Sequence, residues 1–88
     1  MKTYIKDPDA SLDYTQDWSD WLGTDTISSF AVVVDAGITQ GISSNTTTTC
    51  TCWFSGGVTG ESYTVTYRIT TAAGRVDDRS FIITVANQ

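Results

Sequence analysis

Apolar and polar residues alternate along most of this chain. From Ile27 onward the repeat is two residues, the spacing of side chains on a half-buried strand. Ile27 to Val34 predicts a strand with Phe30, Val32 and Val34 facing a core, and Ile27, Ser29, Ala31 and Val33 facing away. Asp35-Ala36-Gly37 is a turn, and Ile38 to Ile42 a short strand with Ile38 and Ile42 in phase. Ser43-Ser44-Asn45 is a loop. Thr46 to Phe54 follows, with Cys50, Cys52 and Phe54 on one face and Thr47, Thr49, Thr51 and Trp53 on the other; β-branched threonine suits a half-exposed pleat. The glycine loop Ser55 to Glu61 leads to a strand from Tyr63 to Thr71, with Tyr63, Val65, Tyr67 and Ile69 inward. A hairpin loop, Thr71-Ala72-Ala73-Gly74-Arg75, precedes the last strand, Val76 to Val85, with Phe81, Ile83 and Val85 inward. Residues 3–16 supply one or two further strands.

One short stretch breaks the pattern. In Asp17-Trp18-Ser19-Asp20-Trp21-Leu22 the apolar residues sit at i, i+3 and i+4, which predicts one helical turn capped by Asp17 or Ser19. Gly23 ends it. A turn this short must rest on the strands, as a lid. The fold class is therefore all-β: a small immunoglobulin-like antiparallel β-sandwich with a short helical turn near the N-terminus. Residues 1–88 form a single domain, an acidic and aromatic N-terminal segment (1–25) followed by a strand-rich body (26–88). Tyr63 opens the penultimate strand just after a glycine loop, the placement of a tyrosine corner; the cysteine pair that bridges antibody sheets is absent.

Charge changes the picture. Ten acids against five bases give a net charge of −5, which opposes binding to nucleic acid through its phosphates. The acids crowd the front of the chain: Asp7, Asp9, Asp13, Asp17 and Asp20 lie between Lys6 and Leu22, together with Tyr14, Trp18 and Trp21. Two readings stand side by side: a solvated, solubilising surface, or a docking edge for a basic partner. The candidate partner contacts are Asp7, Asp9, Asp13, Tyr14, Asp17 and Trp53. Trp53, on the threonine face of its strand, either packs under the Trp18/Trp21 segment or meets a partner. No apolar run is long enough to span a membrane, and the first residues lack the apolar block of a signal peptide. The expected location is the cytoplasm or a particle assembled there.

Little in the sequence points to catalysis. Without histidine, no Ser/His/Asp or Cys/His arrangement forms. Ser55-Gly56-Gly57-Val58-Thr59-Gly60 lacks the lysine of a phosphate loop and joins two strands. Asp7/Asp9, Asp17/Asp20 and Asp77/Asp78 are carboxylate pairs, but so small a filled domain offers little cleft between them. Asp77-Asp78-Arg79 reads as a charge pair with Arg75 or Arg68. Asp7-x-Asp9 and Asp13 have the spacing of oxygen ligands without the glycine turn and closing glutamate of a calcium loop. Cys50 and Cys52 are two apart on a strand, too far for an ordinary disulfide, and read as small reduced core residues. No catalytic residue, cofactor or metal is expected.

Lys6-Asp7-Pro8-Asp9-Ala10, Leu12-Asp13-Tyr14, Asp17-Trp18-Ser19-Asp20-Trp21-Leu22 and Asp25-Thr26-Ile27 resemble the opening of small virion proteins of tailed phages, the fiber–tail adaptor proteins. Trp53-Phe54-Ser55-Gly56-Gly57, Gly60, Tyr63-Thr64-Val65, Thr70 to Arg75 and Asp78 to Phe81 are similar to their later part. The resemblance covers nearly the whole chain. It implies a non-enzymatic virion structural protein at the phage neck or tail, linking connector or tail to fibres or collar. It also implies several copies around the particle axis, with other virion proteins as partners. The alternative is an immunoglobulin-like carbohydrate- or adhesion-type binding module, which needs Trp53, Trp21 or a tyrosine exposed as a stacking platform. Cys50 and Cys52 stand where small or aliphatic residues are more usual in that family.

Overall fold

The computed structural model describes residues 2–87. Two sheets face each other. One holds, in order, β1 (Lys2–Lys6), β7 (Val76–Val85), β6 (Ser62–Thr71) and β3 (Ile27–Val34); the other holds β2 (Ser11–Asp17), β5 (Thr49–Gly56) and β4 (Ile38–Asn45). The short helix α1 (Ser19–Leu22) links β2 to β3. The all-β sandwich expected from the alternation is the fold. It is not wholly antiparallel, because β1 pairs with β7 in parallel register, Lys2 opposite Phe81 through Lys6 opposite Val85. Residues 2–5 are thus a strand of this chain's own sheet; Met1 lies outside the described residues.

The core is the set of inward positions on the two-residue repeat. Val65, Tyr67 and Ile69 of β6, Phe81, Ile83 and Val85 of β7, and Cys50, Cys52 and Phe54 of β5 are fully buried. Rings make much of it: Phe81 contacts Tyr4, Tyr14 and Tyr67 edge-on or stacked, at centroid distances of 5.5, 5.6 and 5.3 Å. Both thiols are free, and burial pushes the Cys50 thiol up to about 12, so it stays protonated and unreactive at neutral pH.

Three departures from simple alternation have local causes. A register irregularity at the start of β3, between Ile27 and Ser29, turns Ile27 into the core, against the expectation that it faces outward with Ala31 and Val33. In β4 the pairing slips between Gln40 and Ser43, so that Gly41 and Ile42 together stand opposite Trp53. This bulge puts Ile38 in the core and leaves Ile42 79% exposed, so the two are not in phase. It also lets the strand run on to Asn45. Finally, β5 starts at Thr49 rather than Thr46, because the Thr46 hydroxyl accepts the N–H groups of Thr48 and Thr49 and folds residues 46–48 into a turn.

Tyr63 closes the other end. Its hydroxyl accepts the Val58 N–H at 2.9 Å, and its ring lies against two glycines with positive φ. A Cβ on Gly37 would sit 2.9 Å from the ring, and one on Gly57 3.3 Å from it and 2.7 Å from Val85. Only glycine fits either place.

Candidate partner-binding face

The Asp-Pro-Asp turn joins the sheets. Asp7 accepts the Ala10 N–H on its carbonyl at 3.0 Å and the Asp9 N–H on its carboxylate at 2.9 Å, a turn with proline in the second place, where its fixed φ fits. Just before it, Lys6 is fully buried and donates to the carbonyls of Asp7 and Gly56 at 2.8 and 2.7 Å. Burial lowers its pKa against the raising influence of Asp7 and Asp9. The turn leaves Asp9 exposed at the rim and Asp7 half-buried.

Along β2 the sides then alternate. Tyr14 opposes Cys52 and points inward, while Ser11, Asp13, Thr15 and Asp17 oppose Ser55, Trp53, Thr51 and Thr49 on the outer side. Tyr14, a candidate contact, is a core residue instead, only 6% exposed. Its ring meets those of Tyr4, Phe54 and Phe81, and desolvation raises its pKa. The aspartates around it suggested a wet surface, but the strand period puts Tyr14 on the dry side of the same strand.

Trp53 is 42% exposed and is not covered by the Trp18/Trp21 segment. Its neighbours are Asp13 directly across the strand pair and the β4 bulge, where a Cβ on Gly41 would come within 3.3 Å of its backbone and Cβ. Ser11, Gly41, Ile42 and Trp53 line an open hollow of about 320 Å³. Among the described residues, neither the Asp13 carboxylate nor the Trp53 indole N–H has a hydrogen-bond or ion-pair partner. Asp17 shares this face; the Ser19 N–H held by its carboxylate at 2.8 Å keeps its pKa low. The residue at the N-cap of α1 is Trp18, without a side-chain cap, rather than the Asp17 or Ser19 expected from the sequence; the Asp17 carboxylate instead holds the N–H of the first helical residue.

Electrostatically the two sheets differ. Strands β2, β4 and β5 contain no lysine or arginine. All five basic side chains lie in β1, β6, β7 or the hairpin between the last two. Two of them form ion pairs, Arg68 with Asp78 at 2.8 Å and Arg75 with Asp25 at 3.1 Å. Arg79 lies over the Trp18 ring and donates to the Asp17 carbonyl. Lys2 lies over Tyr4. The outer face of β2, β5 and β4 thus combines a half-exposed tryptophan, an exposed isoleucine, hydroxyl-bearing side chains and aspartates, with no cation of its own. The chemistry it offers is recognition of an apolar and positively charged surface.

At the opposite end, the lid position holds. Trp18 and Leu22 are buried and Trp21 packs against the core. Trp18 donates its indole N–H to Asp77 at 3.0 Å. Sequence reasoning missed the role of Asp25, which joins the lid to the β6–β7 hairpin. The Thr71 hydroxyl foremost, with the Thr26 and Ala73 N–H groups and Arg75, holds its carboxyl at about 2. Its one local partner, the Thr26 N–H, gives no hint of this role; Ala73 and Arg75 lie about fifty residues further along the chain.

No curated protein matches the chain. The family model described as "Podophage GP4 fiber-tail adaptor protein gp77" matches residues 6–84, from the buried Lys6 through the acidic segment and all but the last residue of β7, and the chain belongs to that family.

Proposed function

We propose that the protein is a non-enzymatic structural component of a tailed-phage virion. It joins the tail, at the neck, to fibres or collar through the outer face of β2, β5 and β4 and the adjoining Asp-Pro-Asp turn. The observation that carries the docking face is its charge: Asp13 and Asp17 lie on a sheet without lysine or arginine, with Asp9 at its rim. A basic virion protein is the complementary partner. The sheet pairings also suit the immunoglobulin-like reading, since β2-β5-β4 and β7-β6-β3 match the B-E-D and G-F-C neighbours of that sandwich.

Several copies act side by side in the particle, assembled in the host cytoplasm. What supports this is β3, an edge strand of eight residues with no charge, proline or glycine. The other three edges carry such guards: Lys2 and Lys6 on β1, Asp13 and Asp17 on β2, the Gly41 bulge on β4.

The test is assembly with purified tails lacking this protein. Asp9→Lys and Asp13→Lys should abolish assembly while leaving the circular dichroism spectrum and melting temperature intact. Assembly at the wild-type level by both variants would remove the docking role of these aspartates.

A further inference from the structure

The protein has three tryptophans, and each stands with an aspartate. For two of them the chain also supplies an arginine. The guanidinium of Arg75 lies 4.4 Å from the Trp21 ring centre and is ion-paired with Asp25. That of Arg79 lies 4.9 Å from the Trp18 ring centre, while the Trp18 indole donates to Asp77. The third pair is Trp53 with Asp13, directly opposite each other on β5 and β2. Its ring is half-exposed, and no arginine of this chain reaches it: Arg68 is held by Asp78 on the other sheet, and Arg75 and Arg79 are held at the lid.

We infer that Trp53 and Asp13 form the seat for an arginine side chain of a partner protein. This rests on the proposal that the outer face of β2, β5 and β4 is the docking face. The guanidinium stacks on the Trp53 indole and is paired by the Asp13 carboxylate, repeating between two proteins what Arg75 does within one. The hollow beside Trp53, lined also by Ser11, Gly41 and Ile42, takes the aliphatic stem. Arginine suits the seat better than lysine. Its guanidinium is planar, stacks on aromatic faces, bonds a carboxylate in a fork and is the more weakly hydrated cation. Cross-strand neighbours have Cβ atoms about 4.5–5.5 Å apart, so one guanidinium can meet both ring and carboxylate.

Two measurements test this. The first follows the Trp53 indole N–H by ¹H–¹⁵N NMR while the full chain is titrated at low salt with a blocked Gly-Arg-Gly peptide, then with its lysine counterpart. The arginine peptide should shift the Trp53 signal saturably and leave those of Trp18 and Trp21 in place. The lysine peptide should bind several-fold more weakly, and Asp13→Asn should weaken the arginine peptide by roughly fivefold, the scale of an exposed ion pair. No saturable shift, equal response to both peptides, or indifference to Asp13→Asn overturns the inference. So does a saturable response to a neutral oligosaccharide in place of the peptide, which is the carbohydrate-binding outcome. The second measurement compares wild type, Trp53→Ala and Asp13→Asn for binding to tails lacking this protein. Loss of binding in both variants supports the seat. If both bind as well as wild type, the seat is overturned and the adaptor role stands. If wild type itself fails to bind, the adaptor role falls, and the peptide titration still decides the seat.

Discussion

Trp18 and Trp53 each stand beside an aspartate in the fold, Trp18 with Asp77 and Trp53 with Asp13, yet they end in opposite conditions. Trp18 is fully buried under Arg79 and bonded to Asp77. Trp53 lies open beside Asp13 on a sheet without cations. The difference comes from where the chain returns. The β6–β7 hairpin brings Arg75 and Arg79 to the lid, so aromatic and acidic side chains there are consumed in holding the fold. Among the described residues, Arg79 and Lys6 reach these strands only at their ends, on the carbonyls of Asp17 and Gly56, and neither Asp13 nor Trp53 is bonded to a basic side chain, so the same residue types remain available there to another molecule.

The largest effect that can break this comparison is on stability. Trp18→Ala should cost about 3–5 kcal/mol, the range for truncating a buried large aromatic, and Trp53→Ala about 0.5 kcal/mol or less, as for an exposed site. Urea unfolding followed by far-ultraviolet circular dichroism measures both. Similar losses from the two variants would mean that Trp53 is as structural as Trp18.

A smaller effect sharpens the comparison at the carboxylates. Asp25 is held at about 2, below its ordinary 3.8. Its folded value is depressed, so its contribution to stability is complete above the unfolded value and is lost as pH falls through the folded one. The window runs from about pH 4 down to about pH 2. Thermal melts across it should show wild type losing its advantage over Asp25→Asn, the two curves converging near the bottom. A constant gap between them down to pH 2 would rule out this role. Asp13→Asn, with no internal bond to lose, should leave the melting temperature at pH 7 unchanged.

Much of this architecture is legible in the residues themselves. The two-residue repeat identifies β5, β6 and β7 and their inward faces, because nothing interrupts the pleat there. It misplaces Ile27 and Ile42, since a bulge inverts the sides of a strand without altering its composition. Strand direction leaves no mark on alternation either, which is why the parallel pairing of β1 could not be read from Lys2 to Lys6. The lid was visible in the spacing of Trp18, Trp21 and Leu22. Its arginines were not, because the contacts join positions more than fifty residues apart. Trp53 is recognisable as an outer residue of its strand, but the hollow beside it is lined by Gly41 and Ile42, at the bulge of a different one.

The smallest effect concerns the two faces of β2 itself. Tyr67 donates its buried hydroxyl to the Tyr14 carbonyl at 2.8 Å, whereas the Tyr14 hydroxyl is buried without a hydrogen-bond partner among the described residues. The same tyrosine-to-phenylalanine change should therefore act differently at the two positions. Tyr67→Phe removes a made bond and should cost about 1 kcal/mol. Tyr14→Phe keeps the ring contacts with Tyr4, Phe54 and Phe81 and removes only an unpaired polar atom, so it should be neutral or stabilising. Chemical denaturation of both variants gives the two signs directly. Tail binding by Tyr14→Phe adds the functional half: with Tyr14 inward and Asp13 outward on consecutive residues, binding should match wild type in this variant while Asp13→Asn weakens it. Weakened binding by a stable Tyr14→Phe protein would mean that the inner side of β2 reaches the partner, and the division of labour between its two faces would fail.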